Sequence, residues 1–235
     1  MKAVKRTVLI VVILFAALFV GAYFAGGSQD EPDLNDPDQQ SNEIELKDNQ
    51  APEGTIDQKQ KPKNNEDVAV IATDKGEVVV RLFPEGAPET VKNFKELSAD
   101  DKYDDVKFHR IVKDFMVQTG DFENGDGTGG YSYKGKDTSI DNEIHPDLTH
   151  IQGAVSMANS GPDTNGSQFF IVEAGEGVAA LDRSYTVFGQ VVKGMDVVGD
   201  IASVKVEDSG QGEQSSPLKD VFMKSVTIKK YGEVK

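Results

Sequence analysis

Several groups of residues have types that could support familiar catalytic or metal chemistry, but their spacing argues against it. The glycine-rich stretch 125–130 lacks the Gly-Lys-Ser/Thr ending of a phosphate-binding loop. Asp121, Glu123 and Asp126 are close in sequence without EF-hand spacing, which leaves open only a weak calcium site. There is no cysteine, the 3 histidines have no metal-motif spacing, and no Gly-x-Ser-x-Gly elbow occurs. We therefore expect neither a cofactor nor a metal.

Two longer segments are more specific. Residues 108–122 read FHRIVKDFMVQTGDF, and residues 153–171 read GAVSMANSGPDTNGSQFFI. Together they resemble, in content and in order, the cyclophilin family of peptidyl-prolyl cis–trans isomerases. The resemblance extends over residues from about 66 to 231.

The resemblance implies a mainly β fold, a closed eight-stranded antiparallel barrel capped by two α-helices, with the active face outside the packed interior. Arg110 matches the family's catalytic arginine, and Phe115 and Gln118 complete the expected catalytic set. The positions that match the walls of the proline pocket and the peptide groove are Met116, Ala158, Asn159, Gln168, Phe170, Leu181 and Tyr185. The adjacent Phe169 and Phe170 should point to opposite faces of a strand, and we expect Phe169 in the core and Phe170 in the groove.

The residue chemistry agrees with this resemblance. Rotation about an X–Pro bond faces a barrier of about 18–20 kcal/mol, because amide resonance must be broken. No bond is made or cut, so neither a nucleophile nor a metal is required. A guanidinium that donates to the prolyl nitrogen binds better to the twisted state than to the planar one, which is the condition for catalysis. A non-catalytic proline-peptide-binding module or holdase chaperone is the alternative, although binding alone would not need Arg110.

Two positions depart from the family pattern. Ala180 stands where many members have Trp, and Tyr185 stands where many have His. The missing indole removes a donor and a contact that the cyclic peptide cyclosporin uses. We therefore expect weak cyclosporin binding but retained isomerase activity.

The elements that must position these residues begin near residue 66. Alternating apolar residues predict a hairpin over 68–82, and Pro88-Glu89 opens a predicted helix. Many strands with long connections and only two helices favour a closed antiparallel β architecture. The further predicted strands span 106–112, 116–118, 153–158, 168–172, 185–192 and 221–228, and the second helix spans 194–204.

The N-terminal segment, residues 1–27, predicts a membrane anchor. Residues 8–25 carry no charge and would span about 27 Å as a helix, near the thickness of a hydrocarbon core. Lys2, Lys5 and Arg6 predict that the N-terminus stays in the cytoplasm. A cleaved signal peptide, with secretion of the remainder, is the competing interpretation. Either interpretation places the rest of the chain outside the cytoplasmic membrane.

Residues 28–65 are rich in proline, acids and amides, which predicts an acidic disordered linker before an isomerase domain at 66–235. The whole chain has a formal charge of −15, which argues against nucleic acid as a partner. The sequence thus predicts a membrane-tethered isomerase that acts on X–Pro segments of unfolded or exported polypeptides. A third interpretation, a surface-attachment protein without isomerase activity, depends on the linker alone.

Overall fold

The computed structural model describes residues 55–210 and 212–234. Nine antiparallel strands form its main sheet, and a separate two-stranded hairpin lies between the second helix and the last strand. The strands are β1 (Asp67–Thr73), β2 (Gly76–Leu82), β3 (Val106–Lys107), β4 (Arg110–Val112), β5 (Met116–Thr119), β6 (Ala154–Met157), β7 (Phe169–Val172), β8 (Val187–Lys193), β9 (Val206–Asp208), β10 (Gln214–Pro217) and β11 (Phe222–Lys230). The helices are α1 (Pro88–Ala99) and α2 (Met195–Ala202).

The mainly β fold with two helices is confirmed, but the prediction of a closed eight-stranded barrel is wrong. The sheet has nine strands in the order β3-β11-β1-β2-β8-β6-β7-β5-β4, and no ladder joins β3 to β4 in the described part of the chain. It is therefore a curled sheet with an open seam.

The seam arises because the predicted single strand 106–112 is interrupted at Phe108 and His109. Phe108 is buried, and its backbone N–H donates to the carbonyl of Val221 at 2.9 Å, which extends the pairing with β11, whereas Arg110 already pairs with Gln118 on β5. The Thr119 hydroxyl on β5 donates to the Lys107 carbonyl on β3 at 3.0 Å. One side-chain hydrogen bond thus bridges a gap that backbone pairing leaves open.

The sheet and the helices enclose an aromatic interior. Helix α1 begins with a proline in its first turn and buries Val91, Phe94 and Leu97, the face that its sequence periodicity predicts. Phe94 lies 5.4 Å from Phe169 in an edge-to-face arrangement. Because this interior is filled by side chains, any binding surface must lie outside it.

An N-terminal arm, residues 55–65, packs against the sheet. Ile56 is buried, and the Arg81 guanidinium donates to the backbone carbonyls of Asp57 and Gln60 at 2.9 and 3.2 Å. The folded part of the chain therefore begins before residue 66, where the domain boundary was predicted. The predicted anchor 1–27 and residues 28–54 of the predicted linker lie outside the described residues. Within residues 55–210 and 212–234, no helix is both long and apolar enough to cross a membrane.

Candidate active site

Strand register brings Arg110, Gln118 and Phe170 into one row across the outer face of the sheet. Arg110 on β4 pairs with Gln118 on β5, Gln118 pairs with Phe170 on β7, and Phe170 pairs with Ser156 on β6. Directly opposed residues of neighbouring strands point to the same side of a sheet. The three predicted residues are therefore cross-strand neighbours, although they are far apart in sequence.

A second row on the same face, formed by Val112, Met116 and Val172, lies beside the first. Phe170 and Met116 are 4% and 1% exposed, and both belong to a hydrophobic cluster distinct from the interior one that holds Phe169. The half-buried residues that pack against this outer cluster include four other predicted site residues: Phe115, Ala158, Leu181 and Tyr185. We call this set, with Met116 and Phe170, the apolar recess.

Arg110 stands at the edge of the apolar recess. Its Nη1 donates to Gln118 Oε1 at 3.4 Å and approaches Met116 Sδ at 3.6 Å. Its guanidinium carbon lies 5.7 Å from the centre of the Phe115 ring. On the opposite side, Nε and Nη2 each donate to one carboxylate oxygen of Glu213 at 2.7 Å. The guanidinium is therefore only partly occupied on the side that faces the recess.

Gln118 and Gln168 form a relay behind Arg110. An arginine only donates, so Gln118 must turn Oε1 toward it and Nε2 toward Gln168 Oε1, which lies 3.0 Å away. The Gln168 Nε2 then donates to the carbonyls of Gly127 and Gly129 at 2.9 and 2.7 Å. The chemistry of the two ends fixes the amide orientations along the whole relay.

Asp121 folds the glycine-rich loop that ends this relay. Its carboxylate accepts the backbone N–H groups of five loop residues at 2.8–3.2 Å, those of Glu123, Asn124, Asp126, Gly127 and Gly129. Burial acts to raise the pKa of Asp121, but these donors outweigh it and hold the pKa at about 2. The carboxylate that a calcium ion would need is thus engaged by the backbone, and the described residues contain no cluster of three or more metal-ligating side chains.

His150 supports the recess from behind. Its ring lies parallel to that of Phe170, with centroids 5.9 Å apart, and Tyr185 meets Phe170 edge-on at 5.8 Å. His150 Nδ1 lies 2.8 Å from Asp182 Oδ1, and Nε2 lies 3.0 Å from Ser156 Oγ. This resembles a hydrolase triad, but Ser156 is fully buried, so no substrate can reach its hydroxyl.

Asn159 is connected to the recess through Ala158, which is in turn hydrogen-bonded to Gln168. Asn159 follows Ala158 directly, and its amide donates to the carbonyl of Ser184 at 3.2 Å. The Ala158 N–H donates to the Gln168 carbonyl at 2.9 Å. The structure therefore brings the ten predicted site residues together in one group, connected by packing and by hydrogen bonds.

Sequence reasoning missed Glu213 and His150. Glu213 lies in a glycine- and serine-rich stretch without apolar periodicity, 103 positions from Arg110. His150 has no partner at motif spacing, since Asp182 is 32 positions away. Neither contact has a local signal, because both depend on how distant loops come together.

Comparison with known proteins agrees with this geometry. The family model described as "Cyclophilin type peptidyl-prolyl cis-trans isomerase/CLD" matches residues 68–231. A protein of Staphylococcus epidermidis named putative peptidyl-prolyl cis-trans isomerase is 38% identical over 191 residues, which cover 70% of this chain and 93% of that protein.

Solved structures give the same result. A cyclophilin-type isomerase of Cryptosporidium parvum superimposes with a TM-score of 0.63 at 32% identity, covering 69% of this chain and 96% of that one. A second structure of that protein, in the presence of the dipeptide Ala-Pro, gives a TM-score of 0.62 over 98% of its chain, also at 32% identity. The chain belongs to the cyclophilin family, whose members are enzymes that isomerise peptidyl-prolyl bonds.

Proposed function

We propose that Arg110 drives the isomerisation by donating a hydrogen bond to the prolyl nitrogen of the twisted X–Pro bond. The observation that carries the proposal is the position of its Nη1, at the edge of the apolar recess beside Met116 and Gln118. In the planar amide the nitrogen lone pair is delocalised into the carbonyl, and it becomes a good acceptor only when the bond twists. The donated bond is therefore stronger in the transition state than in the ground state.

The apolar recess would hold the proline ring while the acyl side rotates. The Cryptosporidium parvum relative has been solved in the presence of an Ala-Pro dipeptide, which supports an X–Pro segment as the ligand. The side-chain amide of Gln118, with the backbone at Asn159, would hold the flanking peptide carbonyls. Gln118 Nε2 gives one of its two hydrogens to Gln168, so the second is available to a peptide. Because the relay fixes the orientation of this amide, little ordering is required when the peptide binds.

The test is a proline-peptide isomerisation assay on Arg110→Ala, with Lys113→Ala as the matched control. Lys113 is an exposed cation in the neighbouring turn. Arg110→Ala should lower kcat/KM by about tenfold or more with unchanged circular dichroism, because a transition-state donor is lost. Lys113→Ala should keep its activity.

Peptide titration separates the proposal from the holdase alternative. Catalysis by Arg110 predicts that Arg110→Ala still binds a proline peptide while its turnover falls. Unchanged turnover in Arg110→Ala would refute the catalytic role of the arginine. A wild-type chain that binds proline peptides without isomerising them would favour the holdase.

We also propose that the chain is tethered to the cell membrane by residues 1–27, so that the isomerase domain faces outward and acts on exported polypeptides. The uncharged run 8–25 behind a basic N-terminus supports this. Cell fractionation of the full chain should recover it with the membrane after a high-salt wash. A chain found in the cytoplasmic fraction would overturn the proposal, and a shortened chain in the medium would favour signal cleavage.

A further inference from the structure

The hairpin formed by β9 and β10 brings a carboxylate to the outer side of Arg110. Glu213 immediately precedes β10, and its two oxygens accept from Nε and Nη2 of Arg110 at 2.7 Å each. Both bonds are short and charge-assisted, and the paired geometry fixes the plane of the guanidinium as well as its position. The two side chains are 34% and 40% exposed, so they lie at the surface, where a peptide can reach them.

The loop that carries Glu213 is itself held by hydrogen bonds. The Glu213 carbonyl accepts from the Ser209 N–H at 2.9 Å. The Asp208 carboxylate accepts the N–H groups of Gly210 and Gly212 at 2.7 and 3.1 Å. Both glycines have φ near +80°, a conformation that other residues rarely adopt. The described residues of this loop therefore restrain Glu213 through their own hydrogen bonds.

The five N–H groups of the Arg110 guanidinium have different acceptors, and this arrangement shows how Glu213 affects Arg110. The ion pair takes the single hydrogen of Nε and one hydrogen of Nη2. Nη1 donates to Gln118 Oε1 at 3.4 Å and to Met116 Sδ at 3.6 Å, so a ligand would replace only a long contact to a weak thioether acceptor. A carboxylate that blocked the reaction would have to occupy the Nη1 side, which Glu213 leaves open.

We propose that Glu213 is a positioning residue for the isomerisation: it clamps Arg110 from outside, so that Nη1 is aimed into the apolar recess before the peptide arrives. This inference rests on the proposed catalytic role of Arg110. Without the clamp, the flexible arginine side chain would have to be ordered within each catalytic cycle. Orientation that is set in advance lowers the barrier of the chemical step more than it changes peptide binding.

The test compares Glu213→Ala with Glu207→Gln, which removes an exposed acid from the same hairpin away from Arg110. Glu213→Ala should lower kcat by about five- to tenfold with little change in KM. Glu207→Gln should keep wild-type kinetics, because it removes the same charge without touching the clamp. Glu213→Asp, which retains the carboxylate, should restore part of kcat.

A double-mutant cycle separates positioning from a general effect on the fold. If Glu213 acts only through Arg110, the pair Arg110→Ala/Glu213→Ala should be no slower than Arg110→Ala alone. If the two losses multiply, or if Glu213→Ala is as fast as or faster than the wild type, the inference is overturned. If Arg110→Ala itself retains full turnover, the proposed function fails instead, and the two failures are thereby distinguished.

Discussion

The imidazole of His150 lies flat against the ring of Phe170, with an angle of 16° between the planes and 5.9 Å between the centroids. The two hydrogen-bond partners of the imidazole, Asp182 and Ser156, hold it from both ends. Because Phe170 forms part of the apolar recess, the orientation of its ring depends on a residue that a bound peptide does not touch. The recess is therefore shaped by a polar group behind it.

His150→Ala should weaken peptide binding and the fold together. The change leaves a space behind Phe170 and removes a hydrogen-bond partner from Asp182 and from Ser156, so we expect a loss of about 2–4 kcal/mol in unfolding free energy. KM for a proline peptide should rise severalfold, because the Phe170 ring is no longer fixed. Chemical denaturation and steady-state kinetics measure the two effects. An unchanged KM in the folded variant would show that the Phe170 ring does not need this support.

Asp121→Asn should destabilise the glycine-rich loop and, through Gln168, the relay to Arg110. The amide would place an NH₂ group against backbone donors that the carboxylate accepts, at a cost of about 2–4 kcal/mol. With the Asp121 pKa at about 2 in the fold, its stabilisation is present above about pH 4 and is lost as the pH falls through 2.

Thermal unfolding between pH 7 and pH 2 measures the effect of Asp121. The difference between the wild type and Asp121→Asn should be largest at neutral pH and should shrink in acid. Millimolar calcium should not raise the melting temperature of the wild type, because backbone N–H groups occupy this carboxylate. A calcium-dependent rise that disappears in Asp121→Asn would contradict this assignment.

We expect His109 to cause a second, milder pH dependence of the unfolding free energy. Within the described residues both of its ring nitrogens are buried without a hydrogen-bond partner. Burial lowers the pKa of His109, and the opposing effect of the Asp121 carboxylate does not cancel it. The folded state thus binds fewer protons than the unfolded state, so stability falls as the pH drops below about 6.5 and levels off below the folded pKa.

His109→Leu removes this titration. The difference in unfolding free energy between this variant and the wild type should be constant above pH 7 and should grow in favour of the variant between about pH 6.5 and 5. The buried His150 also has a lowered pKa, but it is present in both proteins and cancels from the comparison. A difference that stays constant down to pH 5 would contradict this, because it would show that the pKa of His109 is the same in the folded and unfolded states.

The sequence predicts most of the sheet because its signals are local. Alternating apolar residues predict β1 and β2, and the opposite placement of Phe169 and Phe170 follows from strand geometry. The hairpin of β9 and β10 was not predicted, because residues 206–217 contain few apolar residues and many small ones. The seam at Phe108 was not predicted either, since it is set by a hydrogen bond to Val221, which is distant in the chain.

The candidate site shows the same contrast between local sequence signals and long-range contacts. The ten predicted residues belong to two sequence motifs and a nearby loop, so the resemblance finds them. The Arg110–Glu213 ion pair and the stack of His150 on Phe170 each join a residue of a motif to a residue outside both motifs. Contacts of this kind are properties of the folded chain and have no sequence pattern of their own.

Ala180 provides a gain-of-function test. It is exposed in the short 3₁₀ turn Ala179–Leu181, beside the apolar recess to which Leu181 contributes. Ala180→Trp should tighten cyclosporin binding by about tenfold or more, because an indole adds a large apolar contact and an N–H donor. Isothermal titration measures the change, and isomerase activity without cyclosporin should stay near that of the wild type. A nanomolar dissociation constant for the unmodified chain would contradict the expected weak binding.

The N-terminal arm, residues 55–65, is expected to be part of the folded unit. Ile56 is 8% exposed and packs in the same cluster as Phe170, while the Arg81 side chain, only 8% exposed, uses arm carbonyls as acceptors. Ile56→Ala should therefore lower the unfolding free energy by about 2–3 kcal/mol, whereas Lys63→Ala, at an exposed arm position, should change it by less than about 0.5 kcal/mol.

Removal of the arm is the stronger version of this test. A chain that begins at residue 66 should melt at a lower temperature than one that begins at residue 55, because the buried Arg81 guanidinium loses its acceptors at Asp57 and Gln60. Equal melting temperatures would mean that the arm contributes nothing and that the boundary at residue 66 is adequate. A lower melting temperature would mean that the arm is part of the folded domain. A tether formed by the preceding residues would then join the domain beside the cluster that contains Ile56 and Phe170.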